Sequence, residues 1–424
     1  MIPFLEFVLV FTTLEHLFNT YLDFRQHKLF KQKKVPSALS SFVSQEEFTK
    51  SQEYNYAKSS FGFIEGTFSF VLDLITLWYG ILPLIWDWSL DLIQMAGFTE
   101  ENEIIRSLVY CFISLYARTL IGMPFSLYST FVVEQKFGFN KQTIGGYFLD
   151  HLKVLGISCI LGGPIISGLI VLIEWGGELF WLYVWIFVVI VILGMVTIYP
   201  TVIAPLFNKF TELPEGELRS KIEALASRVE FPLTKLYQID GSTRSAHSNA
   251  YFFGFFKNKR IVLYDTLMEH ATNDEIVAIV GHELGHWKMN HVTKNLVISL
   301  THMLAFFYMF GFFLNYEELY TSFGFTSHST LISLMLFSML NEPIDHILSL
   351  AMHALSRHYE YQADEYATEL GYDLTSGLVA IHKKNASNLN PDSLYSMYHF
   401  SHPTLLERIE AIKIKKAQLS QKKK

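Results

Sequence analysis

The chain contains 424 residues, of which 50% are hydrophobic and only 17% are charged, and its formal net charge is −7. This composition is too apolar for an ordinary soluble enzyme and indicates several membrane spans. The mild negative charge gives no indication of nucleic-acid binding, and two cysteines, Cys111 and Cys159, argue against a disulfide framework or a thiolate metal site.

Seven apolar stretches are long enough to cross a membrane as helices. They cover residues 2–22, 61–86, 104–125, 148–173, 179–199, 296–314 and 331–355. The first three have polar interruptions, which we expect to face protein or water because charge in lipid is costly: Glu15, His16, Asp73 and Arg118. No small-residue cleavage site follows the first stretch, so we expect it to be retained as a span.

The loops between these stretches alternate in charge. Residues 25–34 contain five lysines and arginines, whereas residues 87–103 contain five acidic residues and no lysine or arginine. The same alternation continues through the later loops to the lysine-rich C-terminus. The positive-inside rule then predicts that the N-terminus lies in the lumen, and that residues 200–295 and the C-terminus face the cytosol.

The loop at residues 200–295 is predicted to form a small α+β domain. Its pattern predicts an amphipathic helix over residues 217–229, followed by strands over residues 235–240, 250–256 and 260–264. An edge strand beside a catalytic centre can pair with an extended peptide and present its scissile bond. This arrangement is typical of a metalloprotease.

The helix predicted after these strands contains a zinc-hydrolase motif, His-Glu-x-x-His, at residues 282–286. His282 and His286 lie one helical turn apart, so both project from one face and can bind one Zn²⁺. Glu283, one step round the helix, can polarise a water molecule there. Asn273 is the predicted N-cap of this helix. The alternative is a chance occurrence, because the motif is short.

A catalytic zinc ion takes three protein ligands and keeps one position open. Glu360 and Asp364 follow the last predicted span at a spacing of four residues, so we predict Glu360 as the third ligand and Asp364 as the carboxylate that orients a ligand imidazole. The alternatives are a solvated acidic helix face and His358 as the ligand. His402 precedes a basic helix with Arg408, and such a pair near a metal can stabilise an oxyanion.

Four other histidines have plain interpretations as surface or pore-lining residues: His291, His302, His328 and His382.

The predicted spans and the motif divide the chain into four parts. Residues 1–199 hold spans one to five, residues 200–295 form the cytosolic zinc-protease domain, residues 296–355 hold spans six and seven, and residues 356–424 form a C-terminal helical segment with the third ligand.

Longer stretches of the chain resemble the type I CaaX prenyl endopeptidases, which are integral-membrane zinc proteases of the endoplasmic reticulum. The resemblance covers almost the whole chain. The matching stretches are residues 127–134, 138–143, 203–210, 247–260, 281–287, 360–364 and 398–403. Two places differ from the family pattern. The connection after residues 265–267 is short, and residues 341–346 are more charged than expected, so they either line a chamber or interrupt the last span.

The resemblance implies a mainly α fold in which seven transmembrane helices enclose an intramembrane chamber, with a small cytosolic α+β zinc-metalloprotease domain. It implies one Zn²⁺ per chain and assigns the following residues: His282, His286 and Glu360 as ligands; Glu283 as base; His402 and Arg408 as transition-state helpers; and Asn249, Ala250 and Tyr251 on the strand that holds the peptide.

The activity implied by the resemblance is removal of the last three residues from farnesylated or geranylgeranylated CaaX proteins. The expected partners are these prenylated substrates and the lipid bilayer, with no nucleic acid, and the expected location is the endoplasmic reticulum membrane. One alternative is a quality-control metalloprotease that degrades misfolded or stuck membrane proteins. A second is a non-enzymatic membrane scaffold or prenyl-protein receptor.

Overall fold

The computed structural model describes residues 3–254 and 259–422. In these residues the chain is mainly helical, with one small sheet. The helices are α1 (Phe4–Leu29), α2 (Gln45–Trp78), α3 (Ile81–Met95), α4 (Glu103–Tyr128), α5 (Ile144–Trp175), α6 (Phe180–Ile198), α7 (Glu217–Arg228), α8 (Asp265–His270), α9 (Asn273–Lys288), α10 (His291–Phe310), α11 (Glu317–Ser322), α12 (Thr330–Glu369), α13 (Leu374–Lys384), α14 (Ser393–His399) and α15 (Leu405–Lys422). The strands are β1 (Phe210–Glu212), β2 (Leu233–Ile239), β3 (Ala250–Phe253) and β4 (Lys259–Tyr264).

Among the described residues, five helical segments are long and apolar enough to cross a membrane. They are Gln45–Trp78, Glu103–Glu134, Ile144–Trp175, Gly177–Leu206 and Thr330–Glu369. The predicted first and sixth spans lie on α1 and α10, which have 26 and 20 residues and are not among these five. The count of seven spans therefore stays a prediction.

The predicted second span, residues 61–86, is wrong at its C-terminal end. Helix α2 ends at Trp78, and Gly80 has a left-handed backbone with φ of 63° before α3 begins at Ile81. A left-handed residue terminates a helix, and glycine adopts that conformation without a Cβ penalty. The apolar run thus belongs to two helices.

The charged stretch at residues 341–346 does not interrupt the last predicted span. Helix α12 has 40 residues, from Thr330 to Glu369, and it continues without a break through Pro343. One continuous helix therefore joins the predicted seventh span to Glu360 and Asp364.

The four strands form one sheet in the order β1-β2-β4-β3. Strands β2 and β4 are parallel, and the other two pairs are antiparallel. The sequence pattern missed β1, which has only three residues. Residues 255 and 256 of the predicted middle strand lie outside the described residues, as do parts of the resembling stretch 247–260. Strand β3 occupies one end of the sheet, and no described strand pairs with its other edge.

The sheet packs against α7 and α9 around a buried apolar cluster. The fully buried members include Ile222 of α7, Leu263 of β4 and Leu284 of α9. Most of α9 is buried on all sides, from Ile276 to Gly285. A helix anchored in this way presents its polar side chains at fixed positions.

Candidate metal centre

Helix α9, which contains the His-Glu-x-x-His motif, begins one residue earlier than predicted, because its N-cap is Thr272 and not Asn273. The Thr272 hydroxyl accepts a hydrogen bond from the Glu275 backbone N–H, and the Glu275 carboxylate accepts one from the Thr272 backbone N–H. This capping box satisfies two donors that a helix start leaves open. Asn273 lies in the first turn, and its side-chain amide donates to Glu217.

The structure brings His282, His286 and Glu360 together, with ligand atoms within 4.8 Å of one another. His282 Nε2 lies 3.1 Å from His286 Nε2. Glu360 Oε1 lies 3.2 Å from His286 Nε2, and Glu360 Oε2 lies 3.4 Å from His282 Nε2. The three side chains come from α9 and α12, two helices that pack along each other.

This group fits a tetrahedral zinc ion. Ligand atoms about 2.0–2.1 Å from such an ion lie about 3.3 Å from one another, close to the three separations found between His282, His286 and Glu360. Glu360 Oε2 is buried and has no hydrogen bond of good geometry in the described part of the chain. The unprotonated imidazole nitrogens and the buried carboxylate all carry lone pairs. At the separations found here these lone pairs repel one another unless a cation or a proton lies between them.

Gly285, inside the motif, allows α9 and α12 to approach each other. A Cβ at this position would lie 2.9 Å from the Ala363 Cα and 3.2 Å from the Ala363 carbonyl oxygen. Any larger residue must push the two helices apart. The histidines of α9 would then move away from Glu360 on α12, so the glycine serves the geometry of the ligand group.

Asp364 and Arg408 lie behind the ligands and are almost fully buried, at 1% and 5% exposure. Asp364 Oδ1 lies 2.8 Å from His282 Nδ1. Arg408 donates to both Asp364 oxygens, at 2.9 Å and 2.6 Å, and its Nη1 lies 3.2 Å from Glu360 Oε2. Asp364 therefore lies where a carboxylate that orients a metal-binding imidazole commonly lies.

The electrostatics of the site favour a cation beside His282. Burial and the Arg408 charge oppose protonation, but the carboxylates of Asp364 and Glu360 outweigh them and raise the pKa of His282 to about 9. A metal ion that binds His282 must compete with a proton for the ring. Burial raises the pKa of the neighbouring Glu283 carboxyl, against the opposing effect of His282 and His286. A raised pKa suits a carboxylate that accepts a proton near neutral pH.

His402 lies on the open side of the group. Its Nε2 is 3.3 Å from Glu360 Oε1, and 62% of its side chain is exposed. His358, the alternative ligand, is exposed on α12 and lies outside the group of three. Glu360 is buried at 4% exposure and therefore does not belong to a solvated acidic helix face.

His291 contacts the site, although the sequence pattern gave it a plain interpretation. Its Nδ1 lies 3.0 Å from His286 Nδ1, and its Nε2 lies 2.9 Å from Gln362 Oε1. Burial lowers the pKa of His291 to about 4, so the ring is neutral and can accept from His286 while it donates to Gln362. The ring also stacks on Tyr359 at 4.0 Å. A left-handed turn at Asn290 returns the chain towards His286, which residue spacing does not reveal.

Ala250 and Tyr251 are the first residues of β3, which packs against α9, and Asn249 directly precedes them. The Asn249 carbonyl accepts from the Tyr264 N–H, and Tyr251 pairs with Val262 of β4. In an antiparallel ladder, alternate residues direct their backbone groups to opposite sides. The Ala250 backbone groups therefore face the open edge of β3, where the Ala250 N–H donates to the Asn249 side-chain oxygen at 2.8 Å.

Comparison with known proteins agrees with this geometry. The model for the CAAX prenyl protease N-terminal region, with five membrane helices, matches residues 26–209, and the model for peptidase family M48 matches residues 212–416. The chain is 47% identical to the CAAX prenyl protease 1 homolog of Arabidopsis thaliana, across 97% of this chain and 98% of the relative. It is 40% identical to the Homo sapiens homolog, across 96% and 95% of the two chains.

The similarity extends to a solved structure. The crystal structure of S. mikatae Ste24p superposes with a TM-score of 0.91 at 37% identity and covers 97% of this chain and 99% of that one. Together with the five membrane-length segments, these matches make the chain a multi-pass membrane protein. The chain belongs to the CAAX prenyl protease 1 family, within peptidase family M48.

Proposed function

We propose that this protein is a zinc endopeptidase that removes the C-terminal tripeptide from farnesylated or geranylgeranylated CaaX proteins. The observation that carries the proposal is the buried group of His282, His286 and Glu360, beside an open edge strand, in a chain with membrane-length helices. The names of its relatives, CAAX prenyl protease 1, support the same substrate class.

The site residues divide the work of peptide hydrolysis. A zinc ion held by His282, His286 and Glu360 supplies Lewis acidity, which polarises the scissile carbonyl and acidifies a water molecule. Glu283 accepts a proton as the water oxygen bonds to the carbonyl carbon. It then delivers that proton to the amine when the C–N bond breaks.

His402 and Arg408 stabilise the negative charge that develops on the carbonyl oxygen. His402 acts from the exposed side, 3.3 Å from Glu360. Arg408 contributes a buried positive charge and at the same time holds Asp364, which fixes the orientation of the His282 ring. His402 acts as a neutral hydrogen-bond donor, because burial lowers the pKa of its ring. His402 and Arg408 lie beside different oxygens of the Glu360 carboxylate, Oε1 and Oε2 respectively.

The substrate peptide binds in extended form as an added strand along residues 249–251. The Ala250 carbonyl accepts from the peptide, while the Ala250 N–H donates to the Asn249 side chain. The prenyl chain lies among the membrane helices. The alternating loop charges support an orientation with the active site and C-terminus in the cytosol. The resemblance to the type I CaaX prenyl endopeptidases supports the endoplasmic reticulum membrane as the location. A protease whose substrate carries a hydrocarbon chain gains by lying within the bilayer.

The test is cleavage of one CaaX peptide, with and without a farnesyl group, by the purified zinc-loaded protein in detergent. We expect release of the C-terminal tripeptide only from the farnesylated form. Equal cleavage of both forms would reject the substrate class and favour a quality-control protease. No cleavage of either form would reject the enzymatic proposal.

A further inference from the structure

The loop that leads into β3 lies on the membrane-embedded half of the chain. A short antiparallel contact joins residues 139–141, between α4 and α5, to residues 244–246 of this loop. The Ala246 N–H donates to the Phe139 carbonyl at 3.0 Å, and the Lys141 N–H donates to the Arg244 carbonyl at 3.0 Å. Residues 139–141 belong to a stretch that carries the family resemblance and has no part in the chemistry above.

An ion pair reinforces this contact. Arg244 donates through Nε and Nη2 to the two oxygens of Asp150 on α5, at 2.9 Å and 3.1 Å. The same carboxylate accepts from Gln142 at 2.9 Å. A two-point arginine–carboxylate pair fixes orientation as well as distance. The loop is thereby held to the start of a membrane helix.

A second side chain of the loop, His247, is held by two membrane-side elements. Its ring stacks on Phe139 with centroids 4.5 Å apart and an interplanar angle of 11°. Its Nε2 lies 3.6 Å from Glu134 Oε2, at the end of the π-helical segment Ser129–Glu134 that follows α4. Glu134 also accepts a 2.7 Å hydrogen bond from the Tyr54 hydroxyl on α2. The Tyr54 hydroxyl also lies 3.5 Å from His247 Nε2, so α2 and the segment that follows α4 both reach the loop.

The next residues tie the loop to the catalytic half. The Ser248 backbone exchanges two hydrogen bonds with the Asn385 side chain, at 2.8 Å and 3.1 Å. Asn249 then begins the ladder to β4 through Tyr264. From Arg244 to Asn249 the chain has a fixed partner at nearly every residue. A displacement of the membrane helices must therefore be passed on to β3.

We infer that this dock, formed by residues 134–150 and 244–248, positions β3 relative to the membrane helices and thereby selects the bond that is cut. The inference rests on the proposed function, in which the prenyl group lies among the helices and the peptide lies on β3. With both ends of the substrate held, the dock sets the distance from the prenylated cysteine to the scissile bond. Asp150 and Glu134 are positioning residues that act through Arg244 and His247.

The test measures where a farnesylated CaaX peptide is cut, by mass spectrometry of the products, together with kcat/KM and zinc content. We expect Arg244→Gln to bind zinc as the wild type does, to lose kcat/KM by roughly 100-fold, and to release products from neighbouring bonds, because a displacement of about 1 Å has effects of this size. Arg244→Lys keeps the charge but loses the two-point geometry. We therefore expect a smaller loss of kcat/KM and a smaller fraction of products from neighbouring bonds than in Arg244→Gln. Exchanging the pair, as Asp150→Arg with Arg244→Asp, should restore a single cut.

The matched control is Arg25→Gln. Arg25 of α1 makes an equivalent two-point pair with Asp392, at 3.0 Å and 2.9 Å, but contacts neither β3 nor its loop. It should cut the same single bond as the wild type. A single unshifted cut and an unchanged kcat/KM in Arg244→Gln and Arg244→Lys would overturn the inference. Failure of the wild type to cut any farnesylated peptide would instead overturn the proposed function.

Discussion

Asp364 holds a ligand imidazole on one side and a buried guanidinium on the other, so its replacement by alanine should have two separable effects. The first effect concerns zinc. Without the 2.8 Å contact to Nδ1, the His282 ring loses the partner that sets its tautomer and orientation. Loss of such a partner typically weakens metal binding by about 10- to 100-fold, which corresponds to about 1.4–2.7 kcal/mol.

The second effect concerns stability. Asp364→Ala leaves Arg408, at 5% exposure, with Glu360 as its one remaining carboxylate partner among residues 3–254 and 259–422. Removal of one partner from a buried ion pair costs about 3–5 kcal/mol when the other charge is left uncompensated, and the remaining Glu360 contact places the expected cost at the lower end of this range. The metal-free variant should therefore melt at a clearly lower temperature than the metal-free wild type.

A double variant separates the two effects. Asp364→Ala combined with Arg408→Met removes both charges, so it should recover much of the lost melting temperature while zinc affinity stays low. Zinc affinity is measured by competition with a chelator of known affinity, and melting is followed in detergent. Wild-type zinc affinity and melting temperature in Asp364→Ala would refute the assignment of Asp364. Equal melting temperatures of the single and double variants would refute the explanation that the buried charge of Arg408 causes the loss of stability.

Three further outcomes follow from the packing of the site. Gly285→Ala should destabilise the protein by about 1–3 kcal/mol and lower its zinc affinity, because the new methyl group meets Ala363 at 2.9 Å; unchanged melting and zinc binding would contradict this. His291→Ala should lower zinc affinity by about 10- to 100-fold and His291→Gln by less, in the same chelator competition; equal affinity in both variants and the wild type would contradict a role in orienting His286. Treatment with a strong chelator should abolish peptide cleavage, and added Zn²⁺ should restore it; full activity in metal-free protein would exclude a metal mechanism.

The parts of the site that the sequence predicts are those set by local spacing. His282 and His286 share a helix face because four residues make about one turn. The same periodicity places Glu360 and Asp364 on one side of α12. The capping box at Thr272 and Glu275 has the usual spacing of three residues and is a sequence signal too, but Asn273 next to it is an equally common N-cap residue type.

The parts that the sequence does not predict depend on tertiary contacts. His291 reaches His286 only because the chain reverses at Asn290. Arg408 reaches Asp364 because α15 packs on α12, and residue type alone gives no such distance. The break at Gly80 lies inside a continuous apolar run, where hydropathy does not distinguish one helix from two.

The most direct test of the central claim compares the wild type with Glu283→Gln in the same detergent. Zinc content and release of the tripeptide from a farnesylated CaaX peptide are measured on the same preparations. Glutamine keeps the shape of the side chain but cannot accept the proton, so we expect one zinc ion per chain in both proteins and cleavage by the wild type alone. Substantial turnover by zinc-loaded Glu283→Gln would contradict the assignment of Glu283 as the base.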